Sequence, residues 1–445
     1  MSAPADTIAA IATPHGHGGV GMVRVSGPAA AAICEALTGF LPPPRVARLA
    51  SFRDGAGEPI DRGLCLYFPA PHSFTGEEVV ELHGHGGPVV MDLLLARVLA
   101  LGARQAQPGE FSQRAFLNEK LDLAQAEAVA DLINAASASA ARAALRSLDG
   151  AFSVQVVALT ERLTGLRVQI EAGLDFPDEE LDLLADGRLV AEASGLADDL
   201  HALVARAGEG RLLREGVTVV LAGAPNVGKS SLLNALAERE AAIVTAIPGT
   251  TRDVLREHLA IDGLPLHLVD TAGLRDSDDP VEREGVRRAR AEIERADHLL
   301  FVTAADAPDT PPPELLGQAR AVTRVINKID LVGVAPHIEP AAAWTDVYLS
   351  AHSGAGLELL RERIKAAVGY DTGEGQFSAR RRHVEALRQA ADSTTRGAQL
   401  LAGDGGAELA AEELRLAQQA LGEITGVVSS DDLLGRIFST FCIGK

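Results

Sequence analysis

Gly223-Ala-Pro-Asn-Val-Gly-Lys-Ser230 decides the fold of the central part of this chain. It follows an apolar run at residues 217–221 and opens a helix-forming run at 231–236, so it predicts a strand-to-helix turn. In a G-x-x-x-x-G-K-S loop the glycines let backbone N–H groups converge on phosphate oxygens, Lys229 reaches the outer phosphates and Ser230 ligates magnesium. The alternative is an ordinary glycine-rich turn, because the bare pattern also occurs by chance.

Two phosphate-sensing motifs follow along the chain. Gly249-Thr-Thr-Arg-Asp253 carries Thr251, whose hydroxyl completes magnesium coordination once a γ-phosphate is present. Asp270-Thr-Ala-Gly273 closes a predicted strand and offers a carboxylate to the magnesium shell and a glycine N–H to the γ-phosphate. Each motif is common in isolation, so neither decides the function alone.

Asn327-Lys-Ile-Asp330 indicates which base the nucleotide carries. The Asp330 carboxylate accepts two hydrogen bonds from guanine's ring N–H and exocyclic amine, which adenine does not offer. Asn327 binds the opposite edge of the base, and the stem of Lys328 lies along the ring. Ser350-Ala351 ends the next predicted strand and closes over the base. The five motifs in this order, each at a strand end, predict a guanine-nucleotide site.

The residue after the Asp-x-x-Gly motif departs from the small signalling GTPases, which carry a glutamine there. Leu274 cannot orient a water molecule, so another group must do so. Glu282, in the acidic segment 278–284, is the candidate; a solvated carboxylate at a helix start is the alternative. Arg252 and Arg275 either assist at the phosphates or are surface charges.

Bulk composition sets the limits of these hypotheses. The 445 residues suffice for roughly two to four domains, and 47% of them are apolar, as in a globular protein. The formal charge is 41 − 61 = −20, which argues against a broad electrostatic grip on nucleic acid. Any tRNA or DNA contact then requires a local basic patch or a basic partner.

Cysteine usage and hydropathy predict the compartment. The three cysteines, Cys34, Cys65 and Cys442, are widely spaced and odd in number, which suits a reducing cytoplasm. The N-terminus lacks a basic leader, and no stretch approaches 18 uninterrupted apolar residues. We therefore expect a soluble cytoplasmic protein without a membrane anchor.

The apolar periodicity changes along the chain and predicts four segments. Residues 1–118 form a mixed α/β domain, with strands at 7–12, 19–25, 63–68 and 79–83 and helices at 29–37 and 89–101. Residues 119–212 form the first part of a helical domain, with long antiparallel helices at 121–148, around the 152–170 stripe, and at 189–204.

The last two predicted segments complete the architecture. Residues 213–373 alternate strands and helices as a parallel-sheet α/β domain does, with strands at 217–221, 265–269, 298–302, 322–326 and 347–350. Asp262-Gly263 joins strands 254–261 and 265–269 as a hairpin, so one strand runs antiparallel. Residues 374–445 return to helices, at 384–401, 407–421 and 431–438, which predicts that the α/β domain is inserted into the helical domain.

The chain ends Phe438-Ser-Thr-Phe-Cys-Ile-Gly-Lys445. A frayed tail with a free thiol is one interpretation, but two phenylalanines, an isoleucine and the nearby Asp431-Asp-Leu-Leu434 predict a docked segment. It is not a prenylation box, because Ile-Gly-Lys follows the cysteine instead of two aliphatic residues.

The whole chain resembles the MnmE (TrmE) family of bacterial tRNA-modification GTPases. The motifs that carry the resemblance are Thr75-Gly-Glu-Glu-Val-Val-Glu-Leu-His-Gly-His-Gly-Gly87, Phe116-Leu-Asn-Glu-Lys-Leu-Asp-Leu-Ala-Gln-Ala-Glu127, Gly422-Glu-Ile-Thr-Gly426 and Phe441-Cys-Ile-Gly-Lys445. The resemblance implies an N-terminal α/β dimerisation and folate-binding domain, an all-α helical domain, and an inserted Ras-like P-loop GTPase domain with a mostly parallel sheet.

The resemblance also implies partners and cofactors. These are a homodimer joined through the N-terminal domains, a folate one-carbon donor such as 5-formyltetrahydrofolate, and the FAD-dependent subunit MnmG (GidA). The resemblance further implies that tRNA is the substrate and that an aminomethyl-type group is added to carbon 5 of the wobble uridine of certain tRNAs. The competing hypothesis is a regulatory or ribosome-assembly GTPase switch, with no chemistry beyond GTP hydrolysis.

Residue by residue, the family's folate contacts fall on Arg24, Glu81, Lys120 and Lys445. An arginine or lysine pairs with the glutamate tail of folate, and a carboxylate accepts from the pterin N–H groups. For Arg24 alone, a surface arginine at a strand end is the alternative. Cys442 is either a nucleophile or a small apolar residue lining the folate pocket.

Four histidines form two His-x-His pairs, His15 with His17 and His83 with His85. No third and fourth metal ligands stand at a sensible spacing, so close backbone packing near the folate is favoured over a metal site. We assign no role to His17.

At the nucleotide, the resemblance implies activation by potassium and by face-to-face dimerisation of the GTPase domains, with Glu282 orienting the water. Ser230 and Thr251 are the expected magnesium ligands, and potassium would be held by the Asn226 side chain and the carbonyls of Thr245, Ile247 and Thr250. The full set of expected nucleotide-binding residues is Asn226, Val227, Gly228, Lys229, Ser230, Ser231, Thr245, Ala246, Ile247, Pro248, Gly249, Thr250, Thr251, Asp270, Thr271, Ala272, Gly273, Asn327, Lys328, Asp330, Ser350 and Ala351.

Overall fold

The computed structural model describes two compact units. The described residues are 6–175, 187–239, 256–270, 293–294, 296–317, 320–370, 376–403, 406–428, 431–442 and 444. The first unit comprises Met1–Ala130, Leu148–Leu196 and Asp392–Lys445, and the second comprises Asp131–Ser147 and Ala197–Ala391. The domain boundaries at residues 118, 212 and 373 stay predictions.

The first unit contains a six-stranded sheet in the order β3-β4-β5-β2-β1-β6. All its neighbouring strands pair antiparallel except β1 and β6, which run parallel. Helices α1 (Ala30–Thr38) and α2 (Pro88–Ala100) cover one face, around a core that includes Val23, Phe52 and Leu82. The strands are β1 (Ile8–Ile11), β2 (Gly18–Ser26), β3 (Arg48–Arg53), β4 (Pro59–Phe68), β5 (Val79–Gly86) and β6 (Arg104–Gln105).

The second unit contains a seven-stranded sheet in the order β12-β13-β11-β10-β7-β9-β8. The four central pairings are parallel, and β8–β9 and β12–β13 are antiparallel. The mostly parallel sheet and the Asp262-Gly263 hairpin are thereby confirmed. The strands are β7 (Val217–Ala222), β8 (Arg256–Ile261), β9 (Leu264–Asp270), β10 (His298–Ala304), β11 (Val322–Asn327), β12 (His337–Pro340) and β13 (Thr345–Tyr348).

The helices of the described residues surround these sheets or pack on one another. The predicted stripe from Phe152 to Ile170 is buried on α6, whose main helical neighbour in the first unit is α13. The helices are α1 (Ala30–Thr38), α2 (Pro88–Ala100), α3 (Glu110–Leu117), α4 (Leu123–Ile133), α5 (Ala138–Leu148), α6 (Ala151–Asp175), α7 (Arg188–Glu215), α8 (Lys229–Arg239), α9 (Pro313–Leu316), α10 (Ile329–Val332), α11 (Leu357–Val368), α12 (Arg381–Leu401), α13 (Ala407–Thr425) and α14 (Asp431–Phe438).

One predicted helix is wrong. Residues 121–148 form two helices, α4 and α5, because the Ser137 hydroxyl accepts a hydrogen bond from the Ala140 N–H at 3.1 Å and starts a new helix. Because alanines recur on both sides of the break, the apolar periodicity of the sequence does not reveal it. Three short strands, β3, β6 and β12, also lie outside the predicted set, and β13 begins and ends two residues before the predicted 347–350.

His298, at the start of β10, makes the stability of the second unit pH-dependent. Its side chain is fully buried, and Nε2 lies 2.8 Å from the Thr323 hydroxyl oxygen. Burial, with the nearby positive charge of Arg363, lowers the pKa of the imidazole to about 3. Between pH 6.5 and pH 3 the imidazole of His298 is protonated in the unfolded chain but stays neutral in the folded chain. The free energy of unfolding therefore decreases as the pH falls from 6.5 towards 3.

Replacing His298 by glutamine should remove this dependence, because an amide retains polar atoms but does not titrate. Relative to His298→Gln, the wild-type chain should lose about 2 kcal/mol of unfolding free energy between pH 7 and pH 5. Urea unfolding midpoints at the two pH values measure the difference. Equal pH dependence in both proteins would show that the imidazole is charged in the fold.

Candidate functional site

The loop between β7 and α8 has the backbone shape of a phosphate cradle. Gly223 and Gly228 have φ of +139° and +97°, a region that favours glycine. A Cβ on Gly223 would lie 2.1 Å from the Val302 carbonyl oxygen, and one on Gly228 would lie 2.3 Å from Asn327 Nδ2. Both glycines are therefore required by close packing as well as by backbone conformation.

The first turn of α8 carries Lys229 and Ser230, the side chains expected to bind phosphate and magnesium, beside the phosphate loop. Lys229 Nζ donates to the carbonyl oxygens of Gly223 at 2.9 Å and Ala224 at 3.0 Å, so the ammonium lies across the loop. Ser230 is exposed beside it. The N–H groups at a helix N-terminus and a lysine together form an anion-binding site.

Asn327, at the end of β11, braces the loops around the site. Its side chain is buried, Nδ2 donates to the Val227 carbonyl at 2.9 Å, and Oδ1 accepts from the Ala351 N–H at 2.9 Å. Lys328 Nζ donates to the Asn226 carbonyl at 2.8 Å. The base-reading motif thus fixes the phosphate loop and the Ser350-Ala351 loop relative to each other, which the sequence argument did not foresee.

Asp330 lies in the first turn of α10 with its side chain exposed, as an acceptor for a base requires. Asp270 ends β9, and its backbone pairs in register with Leu221 at the end of β7. The predicted site residues 245–251, 271–273, Glu282 and Lys445 lie outside the described residues.

A second cluster of predicted residues lies on the sheet of the first unit. Arg24 Nη2 lies 2.9 Å and Nε 3.1 Å from Glu81 Oε1, and His83 Nε2 lies 3.3 Å from Glu81 Oε2. Burial raises the pKa of Glu81, but the hydrogen bond from His83 and the charge of Arg24 outweigh it, so the pKa lies below its ordinary value. Glu81 is an ionised, half-buried acceptor.

Two aromatic rings flank Arg24, and sequence reasoning missed both. The guanidinium carbon is 5.6 Å from the ring centroid of Phe74 and 5.9 Å from that of Phe111. Phe74 lies in the 71–76 loop, where Lys120 Nζ donates to the Pro71 carbonyl at 3.1 Å. Arg24, Glu81 and Lys120 thereby border a surface with a flat, half-buried ring.

The C-terminal segment docks against this region of the first unit, as predicted. The Gly109 N–H donates to the Cys442 carbonyl at 3.4 Å, and the rings of Phe438 and Phe441 are 5.4 Å apart. A Cβ on Gly444 would lie 2.6 Å from the carbonyl oxygen of Ile11, at the end of β1. The Cys442 side chain itself is exposed.

The two histidines of the second predicted pair, His83 and His85, contact different carboxylates. His83 contacts Glu81, and His85 Nδ1 lies 2.8 Å from Asp61 Oδ1. A Cβ on Gly84 would lie 2.5 Å from Asp61 Oδ2, so a larger residue there would displace the carboxylate that contacts His85. Among the described residues no group of three or more potential metal ligands comes together, and no helix in that part of the chain is long and apolar enough to cross a membrane.

Comparisons with known proteins agree with this geometry. The chain matches a family model described as the MnmE helical domain over residues 123–442, and one described as the GTP-binding protein TrmE N-terminus over residues 7–120. It is 59% identical to the tRNA modification GTPase MnmE of Pseudomonas syringae pv. tomato over 100% of both chains. It is 59% identical to the tRNA modification GTPase MnmE of Stutzerimonas stutzeri over 99% of both.

One solved structure, Era of Aquifex aeolicus bound to GDP·AlF4−, is 27% identical and covers 40% of this chain and 66% of that one. Its TM-score of 0.26 is too low for a comparison of whole folds.

The parallel sheet, the phosphate loop and the braced Asn-Lys-x-Asp motif define a P-loop GTP hydrolase. Two family models together match residues 7–120 and 123–442, and a relative matched over its full length is named a tRNA modification GTPase. The chain belongs to the MnmE (TrmE) family of tRNA modification GTPases.

Proposed function

We propose that GTP hydrolysis by this chain drives the addition of an aminomethyl or carboxymethylaminomethyl group to carbon 5 of the wobble uridine of certain tRNAs. A folate supplies the one-carbon unit, and an FAD-dependent MnmG (GidA) subunit is the partner. The observation that supports the proposal is the Arg24–Glu81 ion pair beside the ring of Phe74, in the 71–76 loop that Lys120 also contacts.

The chemistry of these residues fits 5-formyltetrahydrofolate. The ionised Glu81 carboxylate accepts from pterin N–H groups, and Arg24 holds that carboxylate in place. The exposed Lys120 ammonium suits the glutamate tail of the folate, and the Phe74 ring offers a flat apolar contact. Lys445 lies outside the described residues, and we assign it to the proposed folate-binding set because it directly follows Gly444 in the sequence.

At the nucleotide, Mg²⁺ would be held by Ser230 and Thr251, and K⁺ by Asn226, Thr245, Ile247 and Thr250. Ser230 and Asn226 are the members of these two sets that the structure describes, and both are accessible to a cation. Ser230 is exposed on the first turn of α8, and Asn226 is exposed on the phosphate loop with φ of +65°. Bound cations would supply positive charge beside the phosphates during hydrolysis. In this proposal the Glu282 carboxylate accepts a hydrogen bond from the attacking water and orients it.

The homodimer is supported by apolar surface on the first unit. Leu49 and Leu64 are direct partners on β3 and β4, and they are 58% and 43% exposed. Neighbouring exposed leucines near a sheet edge favour a protein interface.

A heterotetramer with the MnmG subunit then supplies the tRNA contacts that a chain of charge −20 does not provide alone. We place this complex in the cytoplasm, since Cys34 and Cys65 are free thiols with their sulfur atoms 3.2 Å apart.

Glu81→Gln should weaken binding of 5-formyltetrahydrofolate by about tenfold or more, because hydrogen bonds to a charged acceptor contribute more than those to a neutral amide. Isothermal titration of the purified full-length protein measures the affinity. Glu35→Gln, at an exposed position on α1, is the matched control and should bind as wild type does. Wild-type folate affinity in Glu81→Gln would refute the assignment of this site.

A further inference from the structure

The turn of the β8–β9 hairpin is tied to a segment remote in sequence. Asp262 and Gly263 have φ of +49° and +86°, the conformation of a two-residue type I′ turn. The Ser137 hydroxyl donates to the Gly263 carbonyl at 2.7 Å. A Cβ on Gly263 would lie 2.1 Å from Ser139 Oγ, so only glycine admits this close approach. Ser137 and Ser139 therefore contact the backbone of the turn directly.

A second contact holds the same turn from α11. The Asp262 carboxylate accepts from Lys365 Nζ at 2.6 Å and from Arg361 Nη2 at 2.9 Å. The hydrogen bond from Lys365 lowers the pKa of Asp262, and the charge of Arg361 acts in the same direction against the effect of burial. The Lys365 and Arg361 side chains are only 10% and 15% exposed, so solvent screens these ion pairs less than it screens fully exposed pairs.

The hairpin extends from this turn to the nucleotide site. β9 ends at Asp270, in register with Leu221, two residues before Gly223 of the phosphate loop, and β8 begins five residues after Thr251. At the rise of a β-strand, the turn lies about 20 Å from Asp270 along β9. A change at the nucleotide that shifts either strand therefore displaces the turn at the far end.

Helix α5 connects the turn to a different part of the second unit. Its first turn is capped by Ser137, the residue that contacts Gly263. At its other end, Arg146 Nε donates to the Gln376 carbonyl at 2.6 Å, and the Ser147 hydroxyl donates to the Ser378 carbonyl at 2.9 Å. Residues 376–380 lead into α12. The helix is anchored at both ends and is about 16 Å long.

We propose, resting on the proposed coupling of GTP hydrolysis to tRNA modification, that Ser137 and Asp262 are positioning residues. They transmit the nucleotide state from the β8–β9 hairpin through α5 to residues 376–380. The Ser137 hydroxyl accepts from the Ala140 N–H and donates to the Gly263 carbonyl, so loss of the bond to Gly263 would leave the cap of α5 intact. In this proposal the hairpin responds to hydrolysis, and the link through α5 passes the change to residues 376–380, which precede α12.

The two roles of Ser137 are separable by substitution. Ser137→Asp retains an acceptor for the helix cap but has no hydrogen to donate to Gly263, whereas Ser137→Thr retains both functions. Asp262→Asn removes the charge that binds Lys365 and Arg361, and asparagine tolerates positive φ. Asp306→Asn, at an exposed position in the same unit, is the matched control.

The test compares GTP hydrolysis with tRNA modification. Purified full-length Ser137→Asp and Asp262→Asn should hydrolyse and bind GTP within about twofold of wild type, because the link is remote from the phosphates. In cells that lack the native chain, both variants should lower by about fivefold or more the tRNA nucleosides that deletion of the chain removes. Ser137→Thr and Asp306→Asn should restore them at equal protein level.

Two results would overturn the proposal. One is wild-type tRNA modification in both Ser137→Asp and Asp262→Asn. The other is a parallel fall of hydrolysis, modification and unfolding midpoint in both variants, as a purely structural role would produce.

Discussion

Asp330→Asn is expected to weaken GTP binding by about 100-fold or more and to make the protein prefer xanthosine triphosphate. In the proposed site the exposed Asp330 carboxylate accepts hydrogen bonds from two guanine N–H groups. The amide of asparagine would face one of those N–H groups with its own N–H donor. Xanthine carries a carbonyl where guanine carries its amine, so the amide suits xanthine. Competition of GTP and xanthosine triphosphate for a fluorescent nucleotide measures both affinities.

The control for this exchange is Asp306→Asn, which changes an exposed carboxylate of the same unit outside the base-reading motif. It should leave both affinities unchanged. Unaltered GTP affinity in Asp330→Asn would mean that Asp330 does not read the base. Equal loss of both nucleotides would indicate that the substitution disturbs the loop braced by Asn327.

Glu282→Ala should lower kcat for GTP hydrolysis by about 100-fold or more while GTP affinity stays within about twofold. Leu274 occupies the position at which small GTPases carry their water-orienting glutamine, so the proposal gives that task to Glu282. Single-turnover hydrolysis with excess protein separates the chemical step from binding. Glu284→Ala removes a carboxylate two residues away and should hydrolyse GTP normally. A normal rate in Glu282→Ala would remove this residue from the mechanism.

Short-range patterns predicted much of the GTPase unit because its chemistry is local. The phosphate loop is eight consecutive residues at a strand-to-helix turn, and the strand β7 and helix α8 around it are formed as expected. The hairpin was predictable for the same reason, since a two-residue type I′ turn requires positive φ at both positions and Asp-Gly tolerates that conformation.

Features that depend on distant residues were not readable from one sequence. Arg114 is 1% exposed and pairs with Asp6, Glu77 and Glu110, up to 108 positions away. The bracing role of Asn327 depends on Val227 and Ala351, and the break between α4 and α5 depends on Ser137. Buried polar groups must find partners, but their sequence spacing does not say which.

The central claim, that GTP hydrolysis by this chain drives tRNA modification, is tested most directly by nucleoside analysis of tRNA. Cells lacking the native chain would carry either the wild-type protein or Glu282→Ala at equal level. We predict that the wobble-uridine modification returns with the wild type and stays absent with Glu282→Ala, although that variant binds GTP. Full modification by a variant shown to hydrolyse GTP at about one hundredth of the normal rate would contradict the claim.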